Sequence, residues 1–209
     1  MKKFVLILLT LCLVLGLAGC NRTVTEEEVN AIMPCTYEDG VYKNELFSIG
    51  FEAPEDWTCS DWEDILERNG WSDEEDMVPQ LVKTMGKLCH YYELLAERQD
   101  AKAGANVCIE NAAVLGNPDD TEESYLTRSM EVIRDHFERL EADRLSIQTV
   151  REEFAGQMHH GYYAKCETGG TPYYYKAMFI KEGIYVAVVT ATSAEEDLTD
   201  EVLSMFYEV

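Results

Sequence analysis

Tyr42-Lys43-Asn44-Glu45-Leu46-Phe47-Ser48-Ile49-Gly50-Phe51-Glu52-Ala53-Pro54-Glu55-Asp56-Trp57 is the stretch whose reading decides the fold. Phe47, Ile49 and Phe51 alternate with Ser48, Gly50 and Glu52, so an extended segment here has one apolar side. Ala53-Pro54 stops it, because proline cannot donate to a strand ladder, and Trp57 follows as an anchor. A strand that buries one face needs a second layer against that face, which calls for a sheet with something packed on it.

The rest of the chain supplies those layers. Leu81, Val82, Met85, Leu88, Cys89, Tyr92, Leu95 and Ala96 fall at helical spacing after Pro79, which predicts a helix over 79–98. Residues 105–110 alternate as a strand, with Val107 and Ile109 on one side. Asn117-Pro118-Asp119-Asp120 makes a turn. Thr121 then caps a second helix, with Glu122 and Glu123 in its first turn and Leu126, Met130, Ile133, Phe137 and Leu140 as its buried stripe, ending near Asp143. Four extended segments follow, at about 145–154, 157–166, 172–181 and 184–191. Gly169-Gly170 and Gly183 supply the positive φ of hairpin turns, so the last three read as an antiparallel meander. Ser193-Ala194-Glu195-Glu196 has the spacing of a capping box and predicts a closing helix with Leu198, Val202, Met205 and Phe206 inward. The order is that of an α+β domain: a predominantly antiparallel sheet with helices packed on it.

The tyrosine-asparagine lead-in and the strand of residues 42–57, together with the closing meander, resemble the PsbP-like/Mog1-type domains of bacterial surface lipoproteins. The resemblance covers roughly residues 40–209 and implies an α/β sandwich. It brings no reactive residue with it. The acidic stretch with Trp57, Trp62 and Trp71 departs from the minimal pattern.

At the other end of the chain, Lys2 and Lys3 precede an apolar run from Phe4 to Leu17, too short for a comfortable mature membrane span. Leu17-Ala18-Gly19-Cys20 resembles the lipobox of bacterial lipoproteins, which implies that residues 1–19 are removed and that the Cys20 thiol carries diacylglycerol. Two acyl chains hold a protein firmly where one is marginal. The expected location is the outer face of the cytoplasmic membrane. Residues 20–39 form a tether, in which Thr25-Glu26-Glu27-Glu28 has capping-box spacing, and 40–209 form one domain. Without residues 1–19 the chain has 15 basic residues against 40 acidic, a formal net of −25. That charge repels phosphate backbones and excludes nucleic acid as a partner.

Five cysteines remain besides Cys20: Cys35, Cys59, Cys89, Cys108 and Cys166. An odd number leaves at least one unpaired. Cys35 with Cys59, flanking the opening strands, is the favoured disulfide, and Cys89 reads as a small buried hydrophobe. No Cys-x-x-Cys or His-Glu-x-x-His occurs, and adjacent His159 and His160 point to opposite sides of a strand, so no metal site or cofactor is expected. Asp73-Glu74-Glu75-Asp76 and Asp119-Asp120 with Glu122-Glu123 lack the pattern of an EF-hand loop.

Tyr162, Tyr173, Tyr175 and Tyr185 lie in the meander. Left open by the helices, they make an aromatic surface for glycan, peptide or an extracellular protein; covered, they are core. No catalytic set emerges, and the leading expectation is a lipid-anchored, non-catalytic binding or assembly module. The alternatives are a hydrolase, which requires His159 or His160 beside two acids, and a calcium-dependent adhesion module.

Overall fold

The computed structural model of the chain describes residues 35–38, 41–70, 90–115 and 117–209, with backbone only at 35–38, 62, 114 and 115. The signal segment, Cys20, the tether helix, Trp71, Asp73–Asp76 and Cys89 lie outside the described residues.

The opening stretch forms a hairpin of β2 (Val41–Asn44) and β3 (Ile49–Glu52). On it Phe47, Ile49 and Phe51 are buried as the alternation required. With β1 (Cys35–Glu38) and β11 (Phe206–Glu208) these strands make a four-stranded antiparallel sheet of order β1-β2-β3-β11. Gly50 sits where the Tyr207 ring crosses the strand, and a Cβ there would lie 2.5 Å from that ring. After the Pro54 turn, which Trp57 closes by donating its N–H to the Pro54 carbonyl at 2.9 Å, the chain enters a larger sheet.

That second sheet is also antiparallel. It contains β4 (Trp57–Cys59), β5 (His90–Arg98), β6 (Ala103–Asn111), β7 (Asp143–Phe154), β8 (Gln157–Thr168), β9 (Thr171–Glu182) and β10 (Tyr185–Ala194), ordered β4-β5-β6-β10-β9-β8-β7. Among the described residues four helices run between strands: α1 (Trp62–Arg68), the short α2 (Ala112–Leu115), α3 (Glu122–Arg139) and α4 (Thr199–Leu203). The architecture is α+β, with antiparallel sheets and helices packed on them.

Both faces of the seven-stranded sheet are covered over its central strands. On one, Trp57, Leu94, Val107, Ile109, Met178, Ile180, Ala187 and Val189 pack with Tyr42, Ile49, Phe51 and Phe206 of the small sheet and Val202 of α4. On the other, Tyr125, Leu126, Met130, Ile133 and Phe137 of α3 pack on Tyr162, Ala164, Tyr173, Tyr175, Ala177 and Phe179. Central β10 is buried at all ten positions, odd residues serving one core and even residues the other. Thr121 caps α3 as expected, its Oγ1 accepting from Ser124 N–H at 3.2 Å while Ser124 Oγ accepts from Thr121 N–H at 2.8 Å.

Two expectations fail. Residues 90–98, the latter part of the predicted helix, form β5; residues 79–89 lie outside the described residues. The closing helix is also wrong. Strand β10 continues through Ser193 and Ala194, α4 has only five residues, and Phe206 begins β11 rather than ending a helix. Ser193 does act on the turn, its Oγ accepting from Leu198 N–H at 3.0 Å, but inside a strand-to-helix corner.

Candidate functional site

The four tyrosines proposed as an aromatic surface are core. Tyr162, Tyr173 and Tyr175 lie under α3, and Tyr185 is buried on the opposite face, against the small sheet. Of the meander tyrosines it is Tyr163 and Tyr174 that stay half-exposed, on the face turned away from α3. Both are engaged: Tyr163 donates its hydroxyl to Asp197 at 2.8 Å, and Lys165 Nζ stands 5.1 Å from the Tyr174 ring centre.

The histidines divide similarly. His159 is buried, and its Nδ1 lies 2.9 Å from Glu122 Oε1. The Glu122 carboxylate also accepts from the backbone N–H of His160 at 3.2 Å and of Lys181 at 3.3 Å. Burial alone would raise this carboxyl, but the His159 contact and the two N–H groups outweigh it and hold it below its ordinary value. Glu122 thus joins β8 to β9 where their ladder ends. No second acid joins His159 in the described hydrogen bonds. Among the described residues no three His, Cys, Asp or Glu side chains converge on a metal position. Cys166 is an unpaired buried thiol, pushed up to about 11 by burial. The side chain of Cys35, and with it the Cys35–Cys59 pairing, lies outside the described residues.

Among the described residues, one feature shaped to receive a molecule is a cleft the sequence reading missed. At the β4 edge of the large sheet a cleft of about 380 Å³ is lined by Thr58, Ser60, Asp64, Leu95, Glu97 and Gln99, with Cys59, Ala96 and Arg98 completing its walls. This is a volume suited to a small ligand. It exists because β4 has only three residues, so the strand gives way to α1 before covering β5. Asp61 caps α1 by accepting from Asp64 N–H at 2.9 Å. Asn69, just past the helix, takes over the ladder that β4 abandons: its side chain donates to the Tyr92 carbonyl and accepts from Tyr92 N–H, both at 2.8 Å. One cleft wall is therefore clamped to the sheet by a side-chain amide.

Glu97 is one of two acids, with Asp64, that line the cleft. Across the sheet it is flanked by Thr58 on β4 and by Gly104 on β6, which contributes no side chain. Its Oε1 is buried without a hydrogen-bond partner, and burial pushes the carboxyl above its ordinary value. Arg98 does not answer it, because Asp100 holds that guanidinium with two bonds of 2.8 and 3.0 Å.

The chain matches no family model. Nor does any curated protein match it. Solved structures that resemble it include PA94 of Pseudomonas aeruginosa, of unknown function, at 18% identity and a TM-score of 0.33 over 47% of this chain and 64% of that one. Another is a Bacteroides thetaiotaomicron protein, at 10% identity and a TM-score of 0.39 over 78% of this chain and 45% of that one. A third is LpqN of Mycobacterium tuberculosis, described as involved in cell envelope biogenesis, at 9% identity and a TM-score of 0.37 over 75% of each chain. This chain thus spans less than two-thirds of the first two. Likenesses this distant assign no function. No helix among the described residues is long and apolar enough to cross a membrane.

Proposed function

We propose that this protein is a lipid-anchored extracytoplasmic binding module of PsbP/Mog1-like type that holds a small polar ligand in the β4–β5 cleft without reacting with it. The observation that carries the reading is the cleft itself, whose lining sets the acids Asp64 and Glu97 beside the hydroxyls of Thr58 and Ser60. Those groups can hydrogen-bond a small polar molecule that enters it.

The location rests on the order Lys2-Lys3, apolar run, Leu17-Ala18-Gly19-Cys20. With diacylglycerol on Cys20, the acidic domain is held at the membrane while its own charge keeps it clear of anionic head groups. Replacing Cys20 by serine removes the acyl acceptor. In fractionated cells the Cys20→Ser protein is expected to leave the washed membrane fraction, while the wild type stays in it. Equal retention of the two would refute the anchor.

A further inference from the structure

We infer that the cleft selects ligands presenting an ammonium or similar cationic N–H group, with Glu97 as the counter-charge; this rests on the binding reading above. An ionised Glu97, which lines the cleft, can only accept hydrogen bonds. Asp64, on the α1 wall, is a second acceptor-only group. Thr58 and Ser60 carry hydroxyls that turn to donate or accept, so they set no sign. Among the lining residues Arg98 is the single cation, and Asp100 neutralises it.

The cleft therefore has two carboxylates and no uncommitted positive charge among its lining residues. An anion entering it meets repulsion from both. A neutral ligand fills the space but does not answer the charge on Glu97. A cationic N–H donor supplies both hydrogen bond and charge, the stronger class of contact. The field of the whole molecule, at a formal net of −23, raises the local concentration of such ligands. At about 380 Å³ the cleft has room for a group the size of a capped amino acid.

Three probes of similar size separate the possibilities: N-acetyllysinamide, which carries an ammonium; N-acetylnorleucinamide, which does not; and N-acetylglutamamide with its side-chain carboxylate. Each is titrated into the full chain in detergent, with backbone amide shifts of Thr58, Ser60 and Gln99 locating the contact. The lysine probe is expected to bind roughly tenfold to hundredfold more tightly than the norleucine probe, as a charged hydrogen bond implies. Glu97→Gln, nearly isosteric, should bring that ratio close to one by weakening the lysine probe. Equal affinities in the wild type, which need no variant to be read, overturn the cationic assignment while the shifts keep the cleft as a binding site. A ratio that survives Glu97→Gln overturns it too. Absence of shifts with all three probes overturns the cationic assignment, and the binding reading falls only when chemically broader ligands fail as well.

Discussion

Phe51→Ala should cost about 3–5 kcal/mol of folding stability, the range for deleting a fully buried aromatic ring. Phe51 is completely buried, its ring 4.8 Å from that of Phe206 and 6.4 Å from that of Trp57. These contacts tie together three separate parts of the chain. Phe206 belongs to the terminal strand β11, which pairs with β3, and Trp57 opens β4 of the other sheet. Removing the ring opens a cavity at the junction of the two sheets, and neighbours fixed by ladder hydrogen bonds cannot collapse into it. Since whole domains are stable by only about 5–15 kcal/mol, the variant should lie near its unfolding limit at 37 °C. Urea unfolding measures the loss. A change below about 1 kcal/mol would mean that the small sheet is not seated on the large one as described.

The second large effect depends on pH. Glu110, on β6, is 1% exposed and accepts a hydrogen bond from the Tyr125 hydroxyl of α3. His90 stands opposite it on β5, and the Arg128 guanidinium lies over the Tyr125 ring. Burial raises the Glu110 carboxyl from 4.5 to about 7, against the opposing pull of the Tyr125 bond. A raised folded-state value means that the native protein holds this proton more tightly than the unfolded chain does. The associated stability is complete below pH 4.5 and is lost as pH climbs through 7, amounting to about 3 kcal/mol. Glu110→Gln keeps the shape and an acceptor for Tyr125 but cannot ionise. Its advantage over the wild type should therefore be larger at pH 8 than at pH 5 by about 3 kcal/mol in urea unfolding. An advantage independent of pH would mean that Glu110 titrates as an exposed carboxyl does.

These two sites also show what the sequence could and could not reveal. Phe51 was legible because β3 has one clean buried face, so alternation marks it, and α3 was legible because its apolar stripe and Thr121 cap point to the same element. The hairpins around Gly169-Gly170 and Gly183 were legible because only glycine enters those turns easily; its φ reaches +83° at Gly170 and +58° at Gly183. β5 was not legible. It is covered on both faces, and the irregularity between Tyr92 and Leu94 breaks the two-residue period, so Tyr92, Leu95 and Ala96 fall at helical spacing. At that irregularity Glu93 is buried and accepts from the Tyr42 hydroxyl at 2.6 Å, the Asn44 amide at 2.8 Å and the Tyr91 hydroxyl at 2.5 Å. The tyrosine-asparagine lead-in that marked the resemblance thus has a physical task, which is to satisfy a carboxylate between two sheets.

The cleft was hidden for a related reason. Its residues come from β4, α1 and β5, and the last of these was expected to be helical, which would have put Leu95 and Glu97 on different sides. A strand puts them on the same side, two residues apart, with Thr58 paired beside Glu97. The core reading of Tyr162, Tyr173 and Tyr175 holds because all three face α3, while the alternate positions Tyr163 and Tyr174 face the other way.

The most direct test of the binding account is to titrate a set of small polar compounds, cationic, neutral and anionic, into the isotopically labelled protein and map the amide shifts. The account predicts that at least one compound gives saturable shifts centred on Thr58, Ser60, Asp64, Glu97 and Gln99. Silence throughout the set, or shifts gathered instead around Tyr163 and Tyr174, would contradict it.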